Sequence, residues 1–281
     1  MSHGPRPASH TWQMKVLVIG DIIGRPGRAI VEREVVRLRE AHAIDLVVAN
    51  CENAAGGAGI TPAIADELFR MGIDVLTSGN HVWRKREAFE LLKCDPRVIR
   101  PANYPSAAPG TGSTVVETLS GQKIGVLNVM GRVFMEPLDC PFRAAERELA
   151  RLKLVTPVII VDMHAEATSE KVAMGWFLDG QVSCVFGTHT HIPTADARIL
   201  PKGTAFITDV GMTGPYDSVI GRRVEQVLER FLTSLPHKSD VAEANVQLHG
   251  LLIEVHPTTG KTLSVERITR TLDGTIRGSG D

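Results

Sequence analysis

The chain has 281 residues, 43% hydrophobic, 22% charged and 5% aromatic, a composition that can bury about 75% of the unfolded surface and excludes wholesale disorder. Its 31 Lys and Arg against 32 Asp and Glu leave a formal charge of -1, which excludes the global basic field that drives non-specific nucleic-acid binding. No stretch approaches the ~18 consecutive apolar residues of a membrane span, and the basic-then-apolar layout of a signal peptide is missing, so a cytoplasmic protein is expected.

Residues 1–13 carry two Pro, two Ser and a Gly without periodicity and read as a disordered tail, with Met14 as an alternative start. The run 15–19 reads as a strand and 26–42 as a helix, and the pattern repeats: strand 45–49, helix 62–71, strand 74–77, helix 84–93. Alternation of this kind argues for a largely parallel sheet. Beyond a Pro- and Gly-rich stretch at 96–112, strands are expected at 114–118, 124–130, 157–161, 182–186 and 205–208, and helices at 142–152, 170–178 and 221–235. Segments 246–256 and 262–268 flank a Thr-Thr-Gly turn and read as a hairpin, which suggests a second, partly antiparallel sheet. So many strands exceed what one compact sheet carries, and two packed sheets flanked by helices fit an α/β chain of this length. A single domain over 14–270 with a short tail at 271–281 is expected. Cys51, Cys94, Cys140 and Cys184 form no close pair and are expected to be buried thiols, not a zinc knuckle or redox dithiol.

The strand ends carry the chemistry. Asp21, Glu52 with Asn53, Asn80 with His81, His164, and His189 with His191 each stand at or just beyond an apolar run. Ligands of α/β sheets bind beyond the carboxyl ends of strands, so these distant residues can converge. In Phe186-Gly187-Thr188-His189-Thr190-His191, two imidazoles leave a strand through a glycine. If the segment stays extended both rings share a face and can ligate one ion or two neighbouring ions; the bland alternative is two surface histidines. Ser78-Gly79-Asn80-His81 can present an amide oxygen beside an imidazole, or be a simple turn. Glu52 supplies a carboxylate able to bridge two ions, although alone it reads as an exposed charge, and a lone His164 reads as merely hydrogen-bonded. Two decoys fail. Gly20 to Gly27 has the spacing G-x3-G-x2-G, not the dinucleotide fingerprint, and Gly260-Lys261-Thr262 lacks the first glycine and the helix of a P-loop.

In order and spacing, Gly20-Asp21, Gly79-Asn80-His81, His164 and Gly187-Thr188-His189-Thr190-His191 resemble the calcineurin-like metallophosphoesterase superfamily over residues 15–211. Two departures, Asp21-Ile22-Ile23 without the usual histidine and Asn50-Cys51-Glu52-Asn53-Ala54 in place of Gly-Asp, resemble its bacterial 2′,3′-cyclic-nucleotide phosphodiesterase branch, where Glu is the bridge. The resemblance implies a four-layer α-β-β-α sandwich of two mixed sheets. It implies one metal on Asp21 and His191, a second on Asn80, His164 and His189, Glu52 between them, and Asn53 filling the place of the missing histidine. Two divalent or mixed-valence ions, iron or manganese, are implied, with a bridging hydroxide as nucleophile. His81, adjacent to a ligand and not needed as one, is the candidate general acid. The expected activity is hydrolysis of 2′,3′-cyclic nucleotides or related RNA ends. The alternatives are a phosphomonoesterase or protein phosphatase with the same metals, and a nucleotide- or RNA-binding regulator with little turnover. No DNA or membrane partner is expected, and a homo-oligomer is expected on general grounds.

Overall fold

The computed structural model describes residues 13–272. The expected tails at 1–13 and 271–281 lie outside the described residues except for Gln13, Thr271 and Leu272, and the last strand runs through Thr271. Among the described residues twelve strands and six helices succeed one another: β1 (Met14–Ile19), α1 (Gly24–His42), β2 (Leu46–Asn50), α2 (Pro62–Arg70), β3 (Val75–Thr77), α3 (Ala88–Cys94), β4 (Ser113–Glu117), β5 (Lys123–Met130), α4 (Pro141–Leu152), β6 (Ile159–His164), α5 (Thr168–Leu178), β7 (Cys184–Thr188), β8 (Arg198–Ile199), β9 (Ala205–Ile207), β10 (Gly214–Pro215), α6 (Val224–Thr233), β11 (Val246–Val255) and β12 (Thr262–Thr271).

The strands form two mixed six-stranded sheets. One runs β10-β11-β1-β2-β3 with β12 on β11; the other runs β4-β5-β6-β7-β9-β8. Strands β1, β2 and β3 are mutually parallel, as are β5, β6, β7 and β9. The expected hairpin exists, but it founds no sheet of its own. Its first strand lies antiparallel against β1, with Val16 opposite Ile253, and closes the amino-terminal sheet. The second sheet is built wholly from the middle of the chain.

Side-chain alternation explains the layering. Val16, Val18, Leu46, Val48 and Val75 face Ile124, Val126, Ile160, Cys184 and Phe186 across the space between the sheets. The alternate residues Leu17, Ile19, Val47 and Leu76 pack with Ile30, Val31 and Val35 of α1 and with Leu68 of α2. On the far side, Leu127, Ile159, Val161 and Met163 pack on Leu149 of α4 and Met174 of α5. The order is therefore helix, sheet, sheet, helix.

Helix α3 begins at Ala88, four residues after the expected 84, because 79–88 is wound into successive turns such as Val82 N–H to Gly79 O and Arg84 N–H to His81 O. Helix α6 likewise starts late, since Arg222 pairs with Val219. Cys51 and Cys184 are buried as expected, whereas Cys94 is exposed and Cys140 half-buried.

Candidate metal centre

Strands β1, β2, β3, β6 and β7 all end on the same rim of the sandwich, and the polar residues that follow them converge there. Asp21, Glu52, Asn53, His164 and His191 are buried, while Asn80, His81 and His189 are half-buried at the mouth. Glu52 is the hub. Its Oε2 lies 3.2 Å from His164 Nε2 and accepts the His81 backbone N–H at 3.0 Å; its Oε1 accepts from Asn53 Nδ2 at 3.1 Å. Glu52, His164 and His189 form one group whose ligand atoms lie within 4.8 Å of one another, and Asp21, Glu52 and His191 form another. Asn80 Oδ1 stands 3.0 Å from His164 Nε2 and so joins the first group.

Each histidine is oriented by a partner on its outward nitrogen. Thr188 Oγ1 lies 2.8 Å from His164 Nδ1, Glu166 Oε2 lies 3.1 Å from His189 Nε2, and the Ile220 carbonyl lies 3.0 Å from His191 Nδ1. The nitrogens that remain, His164 Nε2, His189 Nδ1 and His191 Nε2, all point inward. An acceptor on the outer ring nitrogen is the arrangement that fixes tautomer and direction in metal-binding histidines.

The segment His189-Thr190-His191 is not extended, contrary to the shared-face expectation. His189 has φ 93° and His191 φ 67°, both left-handed. Asp209 Oδ2 accepts from Thr190 N–H at 3.2 Å and from Thr190 Oγ1 at 2.6 Å, which pulls the middle residue away and forces the turn. As a result His189 faces His164 and His191 faces Asp21, and Glu52 is common to both groups. Asp209 is itself paired with the fully buried Lys171, Nζ to Oδ2 2.6 Å.

Two buried carboxylates, Asp21 and Glu52, face the pocket. Asp21 Oδ1 is buried without any hydrogen-bond partner, 3.8 Å from His191 Nε2. His164 Nε2 is surrounded by Glu52 Oε2, Asn80 Oδ1 and His189 Nδ1, none of which is an obligate donor. Burial pushes the His164 imidazole down, but the Glu52 carboxylate outweighs it and raises the group to about 9. The converse holds for Glu52: burial pushes its carboxyl up, yet His164 and His81 hold it well below the usual carboxylate range. Burial, with His164 beside it, lowers His189 to about 3, and burial raises Asp21. The oxygen and nitrogen donors present, two buried carboxylates among them, fit two metal ions sharing a carboxylate.

Asn53 is placed with its Nδ2 toward Glu52 Oε1 and, at 3.2 Å, His191 Nε2, and its Oδ1 toward His81 Nδ1 at 2.7 Å. Turning the amide over would present its oxygen to the Asp21 and His191 side. The structure adds residues that sequence reading passed over: Glu166, Thr188, Asp162, Lys171 and Asp209. A signal existed for two of them, since Asp162 interrupts the apolar β6 and Lys171 the apolar face of α5.

The profile of the YmdB-like protein family matches residues 17–268. The 2′,3′-cyclic-nucleotide 2′-phosphodiesterase of Bacillus subtilis (strain 168) is 47% identical over 255 residues, which cover 91% of this chain and 96% of that protein. A crystal structure of a hypothetical protein from Thermus thermophilus superposes with a TM-score of 0.86 at 42% identity, covering 92% of this chain and 99% of that one. A crystal structure described as a novel phosphatase of Mycoplasma pneumoniae gives a TM-score of 0.87 at 35% identity, covering 93% and 94%.

Proposed function

The chain belongs to the YmdB-like family of the metallophosphoesterase superfamily, and from that premise we propose that it is a dinuclear-metal phosphodiesterase acting on 2′,3′-cyclic nucleotides or related RNA ends. The observation that carries this reading is the position of Glu52, common to both potential ligand groups at the rim. In this reading Asp21 and His191, with the turned amide of Asn53, would hold one metal, Asn80, His164 and His189 would hold the other, and Glu52 would be shared between them. The donors are oxygen and imidazole without thiolate, which suits iron or manganese. Cys51 beside Glu52 takes no part, because burial pushes its thiol up and keeps it protonated.

A bound pair of divalent ions supplies an activated water-derived nucleophile and neutralises charge on the phosphoryl group. Asp21 and Glu52 bring two negative charges against four positive ones, and the neutral Asn and His ligands keep the balance positive, so a phosphodiester anion is attracted. His81 is placed for proton transfer. Its backbone is tied to Glu52, and with the Asn53 amide turned the Nδ2 of Asn53 donates to His81 Nδ1, which leaves the Nε2–H to hand a proton to the departing ribose oxygen. Burial, opposed by Glu52, keeps the ring below 6.5 in the free chain. An arriving phosphodiester anion favours the protonated form and readies the acid.

The test is a substrate pair. Purified chain loaded with Mn²⁺ or Fe²⁺ should hydrolyse a 2′,3′-cyclic nucleotide much faster than the corresponding 3′-monoester. Full metal occupancy with no turnover of the cyclic diester would overturn the proposal in favour of a nucleotide-binding role. Preference for the monoester would favour the phosphatase reading, which the name of the Mycoplasma pneumoniae structure supports.

A further inference from the structure

The faces that the two sheets turn to each other are apolar for most of their depth and become polar at one level below the rim. On β2 the inward series is Leu46, Val48, Asn50; on β3 it is Val75, Thr77; on β6, Ile160, Asp162, His164; on β7, Cys184, Phe186, Thr188. Asn50, Thr77, Asp162 and Thr188 all have 0% exposure. Asp162 is their centre. Its Oδ2 accepts from Thr77 Oγ1 at 2.5 Å and from Asn50 Nδ2 at 3.1 Å, and its Oδ1 accepts from Thr188 Oγ1 at 2.7 Å.

Two consequences follow for the layer above. Thr188 gives its one hydroxyl hydrogen to Asp162, so toward His164 its oxygen can only accept, and His164 Nδ1 is the donor across the 2.8 Å contact. The ring is then fixed with Nε2 facing Glu52 and Asn80. Asn50, held by its amide nitrogen, offers Oδ1 to the Glu52 backbone N–H at 3.1 Å and sets the start of that loop. Asn50 and Thr77 belong to one sheet, Asp162 and Thr188 to the other. One carboxylate therefore registers Glu52 on the first sheet against His164 on the second. Well-packed apolar residues join sheets without the desolvation penalty of a buried carboxylate, so a purely cohesive role does not account for Asp162.

We propose, resting on the metal-centre reading above, that Asp162 is the positioning residue of that centre, acting through Thr188 on the His164 ring and through Asn50 on the Glu52 loop. It touches neither metal nor substrate. The experiment is a Mn²⁺ titration by calorimetry of the metal-stripped full-length chain, with folding of each protein verified by near-ultraviolet circular dichroism. Asp162→Asn and Thr188→Val are expected to weaken Mn²⁺ binding about 10- to 100-fold. Thr188→Ser, which keeps the hydroxyl, is expected to bind as the wild type does. Wild-type affinity in folded Asp162→Asn or Thr188→Val would overturn the proposal. If Asp162→Asn does not fold, the isosteric and uncharged Thr188→Val decides alone, and its failure to fold as well would make the network cohesive only and sink the inference. A wild-type chain that takes up no Mn²⁺ is a different result: it removes the proposed function itself.

Discussion

Gly79 has no room for a side chain. A Cβ there would overlap both His164 Nε2 and Glu52 Oε2, the two atoms that define the centre of the site. Gly79→Ala should therefore leave the fold intact but lower the metal content of the purified protein, as measured by elemental analysis; two metals per chain in that variant would show that the cradle can yield. His81 offers the complementary case, since its ring lies beside the ligand groups without belonging to either. His81→Ala should keep its metal and lose about 10²- to 10⁴-fold in turnover, the usual worth of a proton donor. Both residues were legible in the sequence, because Gly79-Asn80-His81 follows an apolar run. What was not legible is that His81 Nδ1 is engaged by Asn53, a residue 28 positions away, for only the folded chain brings them together.

At the scale of elements, the turn after β7 decides which neighbours each histidine meets, His164 for His189 and Asp21 for His191. Its two left-handed residues are conformations that cost of order 1–3 kcal/mol each, and Asp209 is what holds Thr190 between them. Asp209→Ala removes that anchor and leaves the buried Lys171 without its carboxylate partner. It should cost about 3–5 kcal/mol in urea unfolding and release bound metal; a loss confined to stability would mean that the turn holds its own shape. Strand β11 carries a pH-sensitive group of another kind. Burial, with Arg267 nearby, lowers His249 to about 4 from 6.5. The unfolded chain therefore binds the proton more readily, and the stability present above 6.5 is lost as pH falls from 6.5 toward 4. Comparison of urea midpoints at pH 7 and pH 5 should show His249→Gln losing about 2 kcal/mol less than the wild type over that interval. The elements themselves were mostly readable from periodicity. The two-residue β8 and β10 were not, because so short a segment has no period and exists only through its neighbours β9 and β11.

Across the whole molecule, the proposed centre spans the gap between the two sheets: Asp21, Glu52 and Asn80 come from one, His164, His189 and His191 from the other. Metal bound there would act as a clamp between layers. Stripping it with a chelator should lower the melting temperature, and restoring metal at about 100 times its dissociation constant should add roughly 2.7 kcal/mol; a melting curve indifferent to metal would argue against ligands drawn from both sheets. Among the described residues no helix is long and apolar enough to cross a membrane. The two-sheet architecture followed from alternation and the number of apolar runs, but the hairpin's place beside β1 did not, because edge pairing between segments more than 200 residues apart leaves no local pattern. The sequence by itself determined the longer strands, the polar residue types at their ends and the glycines that let the chain turn there, because these depend on period-two burial and on local backbone freedom. Only the tertiary structure decided which nitrogen of each histidine faces inward, how His189 and His191 divide around Glu52, and that Asp162, Asp209 and Lys171 lie beneath them. Those facts depend on packing one sheet against another, and the atoms that meet across that gap are far apart along the chain.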